Sequence, residues 1–297
     1  MRAVYFLLMG DPRYVGWVVN AAASVKYYNP ALHIVLLYQP GMYEKIPSIE
    51  RKSFDEFIEI DNSICHDGTK LTPGITKLNL YQYFKHDENL YIDADSLILK
   101  DISALFDQNS HKTIATDVVW QGTELSEKWP CHWATLESVK RFYKFPKNYS
   151  IYEVNSSYIY SKKNKKAEKF WDQARKNIIP NYIGKWGKSF PDELAFNVAF
   201  AQTGIDPSGK IAISWNSKLN NISQGVGTLD KHYFILTYWG GKNNAHVGHY
   251  QNYDALAGKI HREYFGKHNP YKYRELMQGK YIQTNRTTIG NSQKVEI

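Results

Sequence analysis

The chain has 297 residues, of which 43% are hydrophobic and 15% aromatic, and a formal net charge of +8. Such a composition excludes a disordered or fibrous protein, and the length suffices for one large domain or two small ones with a substantial core. Its two cysteines, Cys65 and Cys131, exclude a disulfide framework or a cysteine-rich zinc centre and point to a reducing compartment, with a single bridge between them left open. The positive excess fits plain solubility, or attraction to nucleotide phosphates, nucleic acid or a membrane surface; charge alone does not choose.

The opening "MRAVYFLLMGDPRY" has one arginine and an apolar run ending at Met9. That run is too short for a membrane span and lacks a small-residue cleavage site, so it reads as a first strand, Ala3 to Gly10. No later stretch is apolar for the ~18 residues a transmembrane helix needs. The expectation is a soluble cytoplasmic protein without a signal peptide or transmembrane segment, cellular or virus-encoded and acting in a host cytoplasm. In "YVGWVVNAAASVKYYNP", Val15, Val18, Val19, Ala22 and Val25 share one side of a helix that stops at Pro30. "LHIVLLYQ" (Leu32 to Gln39) is a second buried strand, and "FDEFIEID" (Phe54 to Asp61) ends in a third. Strand and helix alternate over this first part, which predicts a parallel sheet covered by helices.

"GITKLNLYQYFKHDE" (Gly74 to Glu88) reads as a helix, and "NLYIDADSLIL" (Asn89 to Leu99) as the buried strand after it. Next come a short helical turn in "ISALFD", strands at Thr113 to Val119 and Val154 to Lys163, and a helix in "NKKAEKFWDQARKNI". "DELAFNVAFAQTG" is a further helix with a stop at Gly204, and Tyr233 to Gly240 a late strand. From Gly258 the composition shifts to Lys, His and Tyr, and the last residues have no apolar period and read as disordered. This divides the chain into a domain over 1–257 and a basic aromatic extension over 258–297.

Two aspartates interrupt the strand at Asn89 to Leu99. Burying a charge costs several kcal/mol unless it is paired or ligates a metal. Residues two apart on a strand face one way, so Asp93 and Asp95 are expected to converge while Ala94 turns into packing. Beyond the carboxyl end of a strand in an α/β sheet, such a pair suits a hard divalent cation and, through it, a diphosphate. The competing reading is a capping role for one aspartate.

The segment "KLNLYQYFKHDENLYIDADSLILKDISALFD" resembles the GT-A fold glycosyltransferases, specifically the glycogenin-like family (family eight) of retaining nucleotide-sugar transferases. Lys77, Asp93, Asp95 and Asp101 match that pattern in order, spacing and flanks. The resemblance implies a Rossmann-like, mostly parallel α/β sheet with helices on both faces. It also implies a sugar moved from a nucleotide diphosphate donor, commonly a UDP-sugar, to an acceptor hydroxyl, with Mn2+ or Mg2+ and with retention.

Site residues carry over position by position. Gly10 and Asp11 would lie near base and ribose, with Tyr14 stacked on the base or, alternatively, in the core. Lys77, Ala94 and Ser156 would face the donor beside the aspartates. Asn155 and Ser156 match an Asn-Ser pair facing donor and acceptor. Asp192 would hold sugar hydroxyls or the acceptor. Glu193 stands where the family has glutamine; there it would stabilise oxocarbenium charge or act as nucleophile, unless the acidic pair simply favours a helix N-terminus. The family's third metal ligand is a histidine in a His-aromatic-x-Gly motif followed by lysine. Here "LTYWGGKNNAHVGHY" has Thr237 at that place, with Tyr238, Gly240 and Lys242 matching. His246 is taken as the third ligand ahead of His249, Thr237 or a water, and Lys242 would neutralise the leaving diphosphate.

The acceptor stays open between a hydroxymethylated DNA base, a surface glycan and a protein side chain. The Trp-rich stretch from Val119 to Phe145 is either a sugar- or base-stacking surface or a satellite core. The tail, with Lys259, Arg262, Lys267, Lys272 and Arg274 among Tyr264, Phe265, Tyr271 and Tyr273, is either a nucleic-acid or membrane contact or a solvated helix. Two rival readings are a non-catalytic GT-A-like module for DNA or glycan, and a sugar nucleotidyltransferase.

Overall fold

The computed structural model describes residues 1–64, 72–126, 129, 133–179, 190–209, 213–214, 235–237, 247–272 and 276. The first part alternates as the hydrophobic pattern predicts: β1 (Arg2–Leu8), α1 (Tyr14–Tyr28), β2 (His33–Tyr38), β3 (Glu56–Glu59), α2 (Pro73–Leu78) and β4 (Glu88–Ile92). There follow β5 (Ser96–Ile98), α3 (Ser103–Asn109), β6 (Ile114–Gly122), α4 (Leu136–Phe142), β7 (Ile151–Lys162), α5 (Lys165–Lys176) and α6 (Asp192–Thr203). The last described elements are β8 (Ile213–Ser214), β9 (Ile235–Thr237) and α7 (Val247–Ile260), the last continued by a π-type turn over His261–Phe265.

Six strands form the central sheet in the order β3-β2-β1-β4-β7-β6. All run parallel except β7, which is antiparallel to both β4 and β6. The α/β expectation of a mostly parallel sheet is therefore met. Successive residues of β1 point to opposite faces: Val4, Phe6 and Leu8 join one core, Ala3, Tyr5 and Leu7 the other. Helices α1, α3 and α7 cover the first face, and α2, α5 and α6 the second. Burial on both faces explains why β1 and β2 read as unbroken apolar runs. A small second sheet has the order β5-β9-β8.

Two expected elements differ. The helix expected from Gly74 to Glu88 is only α2 plus a 3-10 turn at Leu80–Tyr83; Asn79 breaks it, its Nδ2 donating to the Ile75 carbonyl at 3.0 Å. The strand expected from Asn89 to Leu99 is two strands in two sheets. β4 ends at Ile92, and the Asp93 N–H donates to the Ser157 carbonyl at 2.6 Å. β5 then leaves to pair with β9. Helix α1 fixes this exit: Ser24 Oγ accepts from the Ile98 N–H and Asn29 Oδ1 from the Ile102 N–H, both at 2.9 Å. Asp93 and Asp95 thus occupy a turn between sheets, not one strand face.

The expected boundary between 257 and 258 falls inside α7. Beyond it, His261, Phe265, Tyr271 and Leu276 are buried, the last three in the same core as α1. Residues 277–297 lie outside the described residues. Among the described residues, no helix is long and apolar enough to cross a membrane.

Candidate active site

Strand order reverses at β1: the chain adds β2 and β3 on one side and β4 on the other. Such a switch point opens a crevice beyond the carboxyl ends of the strands, where ligands bind in open α/β sheets. Past β1 come Gly10, Asp11 and Tyr14; past β4 come Asp93 and Asp95. Gly10 has φ +77°, a left-handed turn that a side chain would strain, and its N–H donates to Gln39 Oε1 at 2.9 Å. Asp11 Oδ1 accepts the Arg13 N–H at 2.9 Å, starting α1. Tyr14 is 37% exposed, so the core reading for it fails. Its hydroxyl is pushed up in pKa by burial and then by the nearby Asp95, with Asp11 and Asp93 adding to it.

Lys77 is the hub. It is buried, and its Nζ lies 3.0 Å from Asp93 Oδ1 and 3.0 Å from Asp192 Oδ2. It also reaches the Ser156 carbonyl at 3.3 Å. Burial works to lower its pKa, but Asp192 and Asp93 overcome this and hold the ammonium form well above its ordinary range. Helix α2 carries it there. Thr72 caps that helix by accepting the Ile75 N–H at 3.2 Å, and Pro73 opens it. A Cβ on Gly74 would meet the Phe190 carbonyl at 2.8 Å, so only glycine lets α2 approach the start of α6 this closely.

The acidic pair of α6 does more than cap. No side-chain cap is present at Pro191. Asp192 Oδ2 accepts from Ser156 Oγ at 2.6 Å as well as from Lys77. Glu193 Oε2 accepts the indole N–H of Trp133 at 2.5 Å. Burial, and then the charge of Asp192, push the Glu193 carboxyl up to about 7. Asn155 is buried on β7 opposite Asp117, and its Oδ1 accepts the Ser157 N–H at 3.0 Å. Its amide oxygen is thus turned back onto its own strand. Ala94 is buried, as expected.

Asp93 and Asp95 are unequal. Asp93 Oδ1 accepts the Tyr91 hydroxyl at 2.6 Å besides pairing with Lys77. Asp95 has no ion-pair partner among the described residues. Burial, and then the Asp93 charge, raise its carboxyl to about 7, with Lys77 offsetting this in part. A divalent cation at this turn would reverse both causes, so the residues present fit one. Among the described residues no three metal-binding side chains converge. Lys242 and the third-ligand candidate His246 lie outside the described residues, as do Tyr238 and Gly240. The backbone of Thr237 pairs with Ser96, which puts the position of the family's histidine one residue from Asp95 along the β5–β9 register.

Three residues were not singled out from sequence. Tyr91 stands two before Asp93, so strand alternation was the available signal. Asp117 lies at a bulge in β6 and faces Asn155 and the Tyr158 hydroxyl; nothing local marks it. Trp133 belongs to the Trp-rich stretch whose role sequence left open.

No family model matches the chain. Human glycogenin-1 is 24% identical over 124 residues, 39% of this chain and 35% of that protein. The chain therefore matches about a third of the length of that curated relative. The solved galactosyltransferase LgtC, in complex with donor and acceptor sugar analogues, superimposes with a TM-score of 0.55 at 15% identity, covering 87% of this chain and 96% of that one. An active-site glutamine-to-glutamate variant of LgtC gives 0.50 at 18% identity, again over 87% and 96%. The glycosyltransferase GlyE of Streptococcus pneumoniae gives 0.51 at 15% identity, over 96% of this chain and 66% of that one. The fold is that of the GT-A glycosyltransferases, and the glycogenin match supports the resemblance to the glycogenin-like family.

Proposed function

We propose that this chain is a metal-dependent glycosyltransferase, moving a sugar from a nucleotide diphosphate to an acceptor hydroxyl. The observation that carries the reading is the cluster at the switch point. Four carboxylates, Asp93, Asp95, Asp192 and Glu193, gather near the buried ammonium of Lys77, which is ion-paired to two of them, Asp93 and Asp192. A binding module has no need of such an excess of negative charge held half-buried; a site for a cation and a developing positive centre does.

Asp93 and Asp95 would hold the cation, Mn2+ or Mg2+, together with a third ligand near Thr237 or from His246. Bound there, the cation would neutralise charge on the departing diphosphate. Gly10, Asp11 and Tyr14 would receive the nucleoside, with the exposed Tyr14 ring offering a stacking face. Lys77 bridges Asp93 and Asp192, at 3.0 Å from each. Asp192, held by Ser156 and Lys77, would accept hydrogen bonds from sugar hydroxyls and so orient the sugar. Glu193 would sit beneath the reacting carbon as a carboxylate and stabilise its positive charge. Asn155 and Asp117, paired across β6 and β7, would face the acceptor. A UDP donor and retention are what the family resemblance supports.

For the acceptor, the tail gives limited support to DNA. Phe265 and Tyr271 are buried, and Lys267 is paired with Glu50, so these groups are engaged within the fold. The test is nucleoside diphosphate release from a panel of nucleotide sugars with manganese, with and without hydroxymethylcytosine-containing DNA. Metal-dependent release is the expected result. Stimulation by modified DNA would assign a DNA-base acceptor; indifference to DNA would direct the search to glycans and proteins. Absence of release from every donor would overturn the proposal in favour of a non-catalytic module.

A further inference from the structure

We infer that Trp133 is a positioning residue for the transfer step, its indole N–H holding the Glu193 carboxylate in place beside Asp192. The inference rests on the glycosyltransferase reading above and adds to it a residue from outside the matched motifs.

The two acidic side chains of the first turn of α6 are held in different ways. Asp192 is tied to a cation, Lys77 Nζ at 3.0 Å, and to Ser156 Oγ at 2.6 Å. Glu193 is held by neutral donors: the Trp133 indole Nε1 at 2.5 Å and the backbone N–H of Ser156. A neutral donor orients a carboxylate without cancelling its charge. Indole is donor-only, so it cannot take the proton. A lysine or arginine in its place would pair with Glu193 and quench the charge that a cationic sugar centre needs.

The charged groups facing Glu193 are Asp192 from its own helix and Lys77 from α2. Asp192 disfavours the Glu193 carboxylate and Lys77, already shared by two aspartates, favours it only weakly. The indole bond is therefore a main support of the ionised form, which burial pushes up to about 7. Trp133 is half-buried, packed against the core that holds α6, and Thr135 behind it caps α4 by accepting the Ser138 N–H at 3.2 Å. The ring is thereby anchored on one side while its N–H reaches the site.

The experiment uses the full chain. In wild type, the 15N–1H indole resonance of Trp133 should shift with pH at the Glu193 midpoint, near 7, and stay flat in Glu193→Gln. Trp133→Phe keeps the ring and loses the donor. It should lower kcat by about ten-fold or more, the loss of a charge-assisted hydrogen bond, while KM for the nucleotide sugar stays within about two-fold. Its kcat should also lose activity at a higher pH on the acid side, because the carboxylate has lost a donor. Trp133→His, with a ring N–H, should recover part of kcat. A pH-independent indole resonance, or unchanged kcat and pH profile in Trp133→Phe, would overturn the inference and leave the transferase reading standing. Absence of transfer in wild type would overturn both.

Discussion

Two buried carboxylate–lysine networks lie at different places in this fold, and they are balanced differently. At the switch point, Lys77 serves Asp93 and Asp192 while Asp95 and Glu193 are left with carboxyls raised to about 7. Under α1, Glu50 is fully buried and satisfied: Lys267 Nζ lies 2.5 Å away and the Tyr271 hydroxyl donates at 2.5 Å. Around it, Lys52 donates to the Tyr264 carbonyl at 2.9 Å and Asn20 to the Tyr253 hydroxyl at 2.7 Å. One network keeps an excess of carboxylates over its lysine; the other closes on itself and fastens the chain after α7 to α1. Uncompensated buried charge persists where function requires it, because elsewhere it only destabilises.

The largest effect should come from Lys77→Met. It leaves Asp93 and Asp192 without their cation, so stability should fall by about 3–5 kcal/mol, read by denaturant unfolding, and transfer should be lost. Asp95→Asn separates the two consequences. Transfer should drop by about a hundred-fold or more, while the midpoint of unfolding stays level or rises, since a repelled charge has been removed. Wild-type turnover in that variant would break the assignment of the pair to a cation.

Glu50→Gln should do the reverse. Thermal unfolding should show a loss of about 1–3 kcal/mol with kcat unchanged, because only the strap after α7 is loosened. Gly16→Ala tests the same contact sterically. Its Cβ would meet the Tyr271 ring at 2.6 Å and Leu276 Cδ2 at 2.7 Å, so a similar loss of about 1–3 kcal/mol is expected from overpacking.

The contrast extends to pH dependence, where the two regions should differ in sign. Asp95 and Glu193 have folded values near 7 against ordinary values of 3.8 and 4.5. The folded state therefore binds more protons in that window, and their contribution, complete below about 4, is lost as pH rises through 7. His261 is the opposite case. Burial, and then Lys267, lower it from 6.5 to about 3, and its Nε2 is hydrogen-bonded to Asn20 Oδ1 at 2.8 Å. Its contribution is complete above about 6.5 and lost as pH falls toward 3. Melting temperatures of Asp95→Asn and His261→Asn across this range should lose slopes of opposite sign; equal slopes would dissolve the contrast.

Much of this was legible in the sequence where the signal is local. The apolar runs of β1 and β2 and the one-sided valines of α1 announced a covered parallel sheet. Gly204 announced the end of α6, and it does take the left-handed conformation there, at φ +65°. Lys77, Asp93, Ser156 and Asp192 were named from the resemblance to the glycogenin-like family, and the structure brings all four together. The break after Ile92 was not legible, because it depends on the Asp93 N–H meeting Ser157 and on β5 pairing with β9, partners far away in the chain. The choice among roles for the Trp-rich stretch was hidden for the same reason: only packing against α6 brings one indole to Glu193. The tail read as a basic extension because composition counts charges and rings without knowing that Glu50 and α1 would cover several of them. Sequence by itself determined which segments alternate and which residue types stand at the strand ends, since periodicity and spacing are properties of neighbours. Tertiary structure decided which carboxylates are compensated and which are not, since burial and pairing are set by residues that meet only when the chain folds.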